Sequence, residues 1–441
     1  MSVPSSLTTH RIASFWFPLL GAWMLMAVEG PVISALIARL AEPKENLAAY
    51  GVAFVIALVV EAPVIMMMSC STALVRDRDS YVKVLRYGTA LNIFSTVWVA
   101  LLLIPSVFDR LTLGWMGLPP EIASRVYLAV VLLLPWPAAI GYRRFYQGVM
   151  IVAGETRKVM AATVLRVIAM VSACTLLSQE TGLHGAAIGG AALSSGVVTE
   201  AIVVRFLARS AVKKISARQP TVQGVSAASL TLSNFVRFYY PLALTAFLTL
   251  GIQPLVTFFV GRAVLPLESL AVLPVLHSIN FVFRCFSLSY QEVILSQVGP
   301  HFEELRPLRH FAFGIGVFST LMIGTLAFTP LATVWFVDVA GLSLDLAALA
   351  KSALGAVVLM PALSMVHSYW SSLSMHGRLT NRITVASILE VAGITFTLIG
   401  GVYWSQLSGA MLACLGLLIG RGAGTFYLWG RGHQALVKVT E

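Results

Sequence analysis

Apolar residues run along this chain in long stretches separated by short polar breaks. Twelve such stretches can be drawn, at 12–40, 46–73, 80–106, 122–149, 156–179, 184–208, 233–260, 267–296, 307–336, 346–374, 381–403 and 406–430. A helix of about 20 apolar residues crosses a hydrocarbon core of about 30 Å. Each stretch therefore predicts one transmembrane helix, since lipid leaves backbone polar groups to be satisfied within the helix itself. The breaks carry charge or turn residues, as at Arg76-Asp77-Arg78-Asp79, Pro119-Pro120 and Ala153-Gly154-Glu155-Thr156. The predicted fold class is all-α: a polytopic membrane protein of twelve helices in two six-helix bundles. The first lobe takes 1–208 and the second 233–441. The polar segment 209–232, with Lys213, Lys214 and Arg218, reads as a cytoplasmic linker.

Composition sharpens this. Hydrophobic residues make up 58% of the 441 and charged residues 11%, against about a quarter charged in soluble domains. The first apolar stretch is too long for the core of a cleavable signal peptide and reads as a span. Cys70, Cys174, Cys285 and Cys414 fall singly inside apolar stretches, which predicts buried thiols rather than a disulfide framework or a zinc site.

The formal net charge of +11 invites an anion or nucleic-acid partner until the basic residues are located. Twenty-two of the 30 fall on the side of the chain's amino terminus, Arg143 and Arg144 included in this tally. Six fall on the other side: Arg39, Lys44, Arg110, Arg125, Arg262 and Lys351. Arg166 and Arg284 lie within spans. Basic residues collect in cytoplasmic loops, so both termini are expected in the cytoplasm, in a cell membrane such as the bacterial inner membrane. The charge is a topology signal, and no nucleic-acid partner is expected.

The two halves match at an offset of 223. Phe15-Trp16-Phe17-Pro18-Leu19, followed by Pro31, parallels Phe238-Tyr239-Tyr240-Pro241-Leu242, followed by Pro254. The same offset pairs Glu45 with Glu268, Leu47 with Leu270, Ala48 with Ala271, Leu85-Arg86 with Leu308-Arg309, and Gly154 with Gly377. Six spans per half is an even number, so both halves enter from one side. The repeat is parallel, with a pseudo-two-fold axis along the membrane normal, a common transporter plan. Pro18, Pro31, Pro241 and Pro254 each remove a backbone donor. They are candidate hinges for spans one and seven, and shaping of the packing is the other reading.

With these features the chain resembles the multidrug and toxic compound extrusion (MATE) family, within the superfamily of multidrug, oligosaccharidyl-lipid and polysaccharide exporters. Among these it is most similar to the progressive ankylosis proteins. The residues carrying that likeness are the aromatic-Pro-Leu opening with Glu29, Arg76-Asp77-Arg78, and Phe145-Tyr146-Gln147-Gly148-Val149. The resemblance implies a secondary transporter working by alternating access, with a cavity between two lobes. Drug-extruding relatives couple to protons or sodium through intramembrane acids; ankylosis-type relatives are associated with export of small anions. Two mid-membrane arginines depart from the drug-exporting pattern.

Charged residues at membrane depth are costly and usually functional. Six stand out: Glu29, Glu61, Arg166, Glu200, Arg284 and Glu390. Glu61 and Arg284 are repeat mates, and Arg166 and Glu390 stand at an offset of 224, so each pair could meet or face a shared cavity. Structural ion pairing is one reading. The other is that Arg284 and Arg166, with Asn280 and Glu61, bind substrate, while Glu29, Glu61, Glu200 and Glu390 serve ion coupling. Burial favours a neutral carboxyl, which makes H+ coupling available; Na+ is the alternative. A half-helix break beside Pro31 would place free carbonyls next to Glu29. His367 reads as a packing residue, Gly416, Gly420 and Gly424 as a close helix contact, and Arg421 as snorkelling to the interface.

No phosphate-binding G-x-x-x-x-G-K-[ST] loop, H-E-x-x-H pair or G-x-S-x-G elbow is present, so neither an ATP-driven pump nor an enzyme is expected. The leading expectation is a monomeric secondary exporter of a small organic or phosphate-bearing anion, without a resident cofactor. A flippase for an anionic lipid-linked head group, a cation-coupled multidrug exporter and a scaffold role are the alternatives.

Overall fold

A computed structural model of the chain describes residues 7–37, 39–116, 118–180, 182–218, 230–299, 304–340 and 342–440. The first half contributes α1 (Thr9–Ile37), α2 (Pro43–Ile65), α3 (Met67–Leu74), α4 (Arg78–Leu102), α5 (Pro105–Asp109), α6 (Pro120–Leu132), α7 (Trp136–Val152), α8 (Thr156–Glu180), α9 (Gly185–Leu207) and α10 (Arg209–Ser216). The second contributes α11 (Leu232–Val260), α12 (Pro266–Gln297), α13 (Leu305–Phe328), α14 (Leu331–Thr333), α15 (Leu344–Ala356), α16 (Met360–His376), α17 (Thr380–Trp404) and α18 (Gly409–Thr440). Residues 219–229 of the expected linker lie outside the described residues; its first part is α10.

Among the described residues eleven helical spans are long and apolar enough to cross a membrane, and α15 with α16, bent by 43°, makes a twelfth if the pair is one span. The protein is thus an all-α polytopic membrane protein. Spans three and nine end earlier than the hydrophobic pattern predicts, at Leu102 and Phe328. Pro105 and Pro330 account for this, because proline cannot donate into the helix before it. Beyond each lies a π-helical turn, Arg110–Trp115 and Val334–Val339.

The duplication is visible in the element boundaries. The first and seventh spans, α1 and α11, correspond at the offset of 223, while α7 with α16 and α8 with α17 correspond at 224. Even the unusual backbone repeats. Glu42 and Leu265, each preceding a helix-opening proline, both adopt left-handed φ values of 49° and 52°. Gly154 at 80° corresponds to Arg378 at 59° rather than to Gly377. One residue has therefore been gained between the halves before that turn, and a bulky side chain occupies a conformation that glycine adopts freely.

The chain forms two compact units. One is Phe17–Phe247; the other joins the residues up to Trp16 to Leu248 and everything after it. The change of unit falls within α1, just before Pro18, and within α11, six residues past Pro241. In the first unit the core gathers Ile33, Ile37, Val60, Val64, Val126, Ile140 and Val197, from α1, α2, α6, α7 and α9. In the second it gathers Val256, Val260, Leu273, Ile394, Leu398 and Leu412, from α11, α12, α17 and α18. Trp16 packs edge-on against Tyr290 and Phe311 and donates from Nε1 to Ser289 Oγ at 2.8 Å.

Small residues set the closest approaches. A methyl group on Gly420 would stand 2.5 Å from the Glu390 carbonyl, and one on Gly190 2.7 Å from that of Ala129. The predicted close contact along α18 is therefore formed, against α17. Outward faces are apolar, with Ile93, Ile202, Phe313, Leu321, Phe396 and Phe426 all more than half exposed. Such faces would be aggregation-prone in water and are ordinary in lipid. All four cysteines are buried, and none is in a disulfide among the described residues.

Candidate functional site

The unit Phe17–Phe247 holds a buried network centred on Glu200. Its carboxylate accepts four hydrogen bonds. Gln147 Nε2 at 2.9 Å and Thr163 Oγ1 at 3.0 Å donate to Oε1. Arg143 at 2.9 Å and Arg166 at 3.4 Å donate to Oε2. Arg166 also pairs with Glu29 Oε2. Every member is buried, and Glu200 and Thr163 are wholly so.

Helix geometry explains the convergence. Arg143 and Gln147 are four residues apart on α7, and Thr163 and Arg166 three apart on α8, so each pair shares a face. Gly196 lets α9 approach α8, since a methyl group there would reach 3.0 Å from the Arg166 carbonyl. Gly148 does the same for α7 and α3, where Ser71 Oγ donates to the Phe145 carbonyl at 3.1 Å. The Phe145–Val149 motif is thus one contact face and one ligand of Glu200. Arg144 lies over the Trp23 ring, 5.1 Å from its centroid. Glu61 accepts from Trp136 Nε1 at 3.0 Å.

Glu29 differs from Glu200. One of its oxygens receives Arg166, while Oε1 is buried with no donor among the described residues. The helix break expected beside Pro31 does not form, and α1 continues unbroken from Thr9 to Ile37 with Pro18 and Pro31 inside it. Ile33 and Ile37 are completely buried in the core and hold the last turns in line. Glu29 therefore faces an arginine rather than freed carbonyls. α11 likewise runs unbroken through Pro241 and Pro254.

The second unit carries a smaller network. Glu390 on α17 pairs with Arg421 on α18 at 2.9 Å, and Thr425 Oγ1 stands 3.4 Å from His367 Nδ1. Arg421 is buried; it does not snorkel, because Gly420 and Gly424 bring α18 tightly against α17 and direct the arginine at Glu390. Arg284 on α12 is half-buried and within electrostatic reach of Arg421 and Glu390, yet forms no ion pair among the described residues. One turn before it, the Asn280 Oδ1 is buried with no donor among the described residues.

The ion pairs that form join neighbouring helices within a unit, not repeat mates to one another. Glu61, Arg143 and Arg166 correspond to Arg284, His367 and Glu390 in the second unit. Two of these three positions reverse charge, so the second network is close to an inverted copy of the first. Sequence reasoning took Arg421 for a residue snorkelling to the interface, and counted Arg143 and Arg144 with the basic residues of the amino-terminal side. Both lie inside α7 and are buried. The four-residue spacing from Arg143 to Gln147, and the offset of 224 to His367, were the available signals.

The geometry defines a class: a duplicated all-helical membrane fold with a polar, ion-paired interior in each unit. Solved structures of that fold are known. An outward-facing multidrug resistance MATE family transporter of the MOP superfamily aligns with a TM-score of 0.78 at 15% identity, covering 98% of this chain and 96% of that one. A MOP superfamily transporter from Pyrococcus furiosus, described as having a binding pocket of reverse polarity, aligns equally well, with a TM-score of 0.78, 15% identity and the same 98% and 96% coverage. A Vibrio cholerae MATE transporter in its bent form gives 0.69 at 15% identity over 98% and 97%. No family model and no curated protein sequence matches the chain. The protein has the fold of the MATE transporters of the MOP superfamily.

Proposed function

We propose that the protein is a secondary active transporter, not an enzyme, that exports a small organic or phosphate-bearing anion by alternating access as a monomer. The shared fold supports transport of a small molecule. The observation that carries the anion reading is Arg284: a half-buried guanidinium that forms no ion pair among the described residues, in a unit whose other central arginine is already paired. A buried cation is tolerable when an anion visits it. Asn280, one turn away with an unused acceptor and two amide hydrogens, supplies orientation. Arg166 is held by Glu29 and Glu200, so it shapes the field of the first unit rather than offering itself directly.

In this reading Glu29 couples transport to H+ or Na+, since its Oε1 has no donor among the described residues. Glu200, with four donors, holds the network together, and Glu61 and Glu390 balance neighbouring cations. Pro18, Pro31, Pro241 and Pro254 let α1 and α11 bend. The likeness to the progressive ankylosis proteins supports a small exported anion and rests on the sequence motifs alone. A bacterial inner membrane with both termini in the cytoplasm completes the proposal.

The test is flux from proteoliposomes across a panel of phosphate-bearing and carboxylate anions. Arg284→Ala is expected to lower uptake about tenfold or more, the loss of one charged hydrogen bond of about 1.5–3 kcal/mol. Arg284→Lys should retain part of it. Unchanged flux in Arg284→Ala removes the residue from the mechanism. A second reading, a cation-coupled multidrug exporter, is favoured by the fold shared with a multidrug resistance transporter. Efflux of cationic dyes that survives Arg284→Ala and fails in Glu29→Gln would select it.

A further inference from the structure

The unit Phe17–Phe247 has a second feature that the ion-pair network does not use. A cleft of about 810 Å³ opens between α4, α7 and α9. Its walls are apolar, formed by Ile93, Val97, Ala139, Val198, Ile202 and Phe206. Ile93, Val97, Ile202 and Phe206 are each at least half exposed. From Val198 to Phe206 it extends about 12 Å along α9 at 1.5 Å per residue.

One end of the cleft differs sharply from the other. Arg205 lines it there, with its guanidinium over the Tyr146 ring at 5.4 Å. Arg209, one turn on, lies over Phe206 at 4.7 Å. Arg86 stands one turn before Thr89, which lines the same end on α4. All three arginines are exposed, and none forms an ion pair among the described residues. This is the end at which α4 begins and α9 finishes, the end that the distribution of basic residues assigns to the cytoplasm. The far end is lined by Val97, Pro135 and Val198 and carries no charge.

We infer that this cleft is a binding site for an anionic phospholipid of the cytoplasmic leaflet. The acyl chains lie along the apolar walls, and the phosphate sits against Arg205 and Arg209. Two facts select this occupant. The apolar length runs along the helices, as a lipid chain does, and the cations are confined to one end, as a single headgroup requires. Basic pockets between spans on the cytoplasmic side recognise anionic headgroups for this reason. Arginine suits the role because its planar fork binds phosphate oxygens in pairs. The aromatic rings beneath both guanidiniums hold them at the mouth. This site is independent of the transport reading, since none of its residues belongs to either ion-pair network.

The experiment is native mass spectrometry of the full-length protein released from nanodiscs of phosphatidylglycerol and phosphatidylcholine, matched in chain and mixed equally. The expected result is at least fivefold retention of phosphatidylglycerol over phosphatidylcholine. Arg205→Gln combined with Arg209→Gln should abolish that preference, and Arg205→Lys combined with Arg209→Lys should keep most of it. Ile202→Asn, a change on an exposed wall, should reduce retention of both lipids. Equal retention of the two lipids by the unaltered protein would overturn the inference, as would an unchanged preference in the double glutamine variant. Displacement of the lipid by millimolar inorganic phosphate alone would assign the arginines to a free anion and overturn it equally. Thermal unfolding of each variant, required to match the unaltered protein, separates loss of the site from loss of the fold.

Discussion

Glu200 is wholly buried yet accepts four side-chain hydrogen bonds, and the reason is local. Four donors from two neighbouring helices converge on its two oxygens. Removing water from a carboxylate is costly, and only full pairing offsets it. In the second unit the same problem is met with the signs reversed, Glu390 on α17 and Arg421 on α18. The inversion makes a prediction. Glu390→Arg alone would place three arginines together with no carboxylate and should cost about 3–5 kcal/mol, the usual penalty for breaking a buried pair. Adding Arg421→Glu reproduces the polarity of the first unit, Arg166 opposite Glu200, and should recover most of that loss in thermal unfolding. No recovery would mean that the order of charges is fixed by something other than the pair. All six intramembrane charges singled out from the sequence lie within helices, five of them buried and Arg284 half-buried. Arg143 was not among them, because it lies near the end of its apolar stretch, where a basic residue ordinarily signals the cytoplasmic loop. Its burial depends on Glu200, more than fifty residues away, which no local pattern encodes.

At the scale of elements, prolines and caps decide most boundaries. Asp77 caps α4 by accepting from the Ser80 backbone N–H at 2.9 Å, and the Ser80 hydroxyl accepts in return from the Asp77 backbone N–H, so the Arg76-Asp77-Arg78 motif opens a helix. The short α10 is secured differently. Glu155, in the turn between α7 and α8, pairs with Lys158 at 2.9 Å and Lys214 at 2.6 Å and accepts from Ser210 at 2.8 Å. Partial burial raises its carboxyl, but the bonds from Lys214, Lys158 and Ser210 outweigh this and hold it below its ordinary value. A depressed folded-state value means stability that is present above the unfolded value and is lost as pH falls through the folded one. The contact should therefore hold α10 at neutral pH and release it on acidification below the ordinary carboxylate range. Amide exchange along α10 is expected to quicken in Glu155→Gln at pH 7 by the equivalent of about 0.5 kcal/mol, typical of a partly exposed pair. The difference from the unaltered protein should shrink as pH is lowered. A constant difference at all pH values would exclude the charge as the cause. The spans themselves were legible to within a few residues. The exceptions at Leu102 and Phe328 arise because apolar residues continue past a helix-ending proline, and hydropathy does not register a missing donor.

At the scale of the whole molecule, the repeat and the span count make one claim together: α11 is a single crossing, so the residues flanking it must lie on opposite sides of the membrane. The basic residues predict which side is which. With the buried Arg143, Arg144 and Arg421 taken out of the tally, nineteen remain on the amino-terminal side against six, a bias that still predicts cytoplasmic termini. Lys213 on α10 and Arg262 just beyond α11 are both exposed and sit on either side of that crossing. The four native cysteines are buried, so background labelling by a membrane-impermeant maleimide should be small. In intact cells Arg262→Cys is expected to react and Lys213→Cys to react only after permeabilisation. The reverse pattern would keep the fold and invert the protein, moving the arginine end of the lipid cleft to the outer leaflet. Equal reaction of both positions in intact cells would break the count of crossings itself, and with it the correspondence between the two halves.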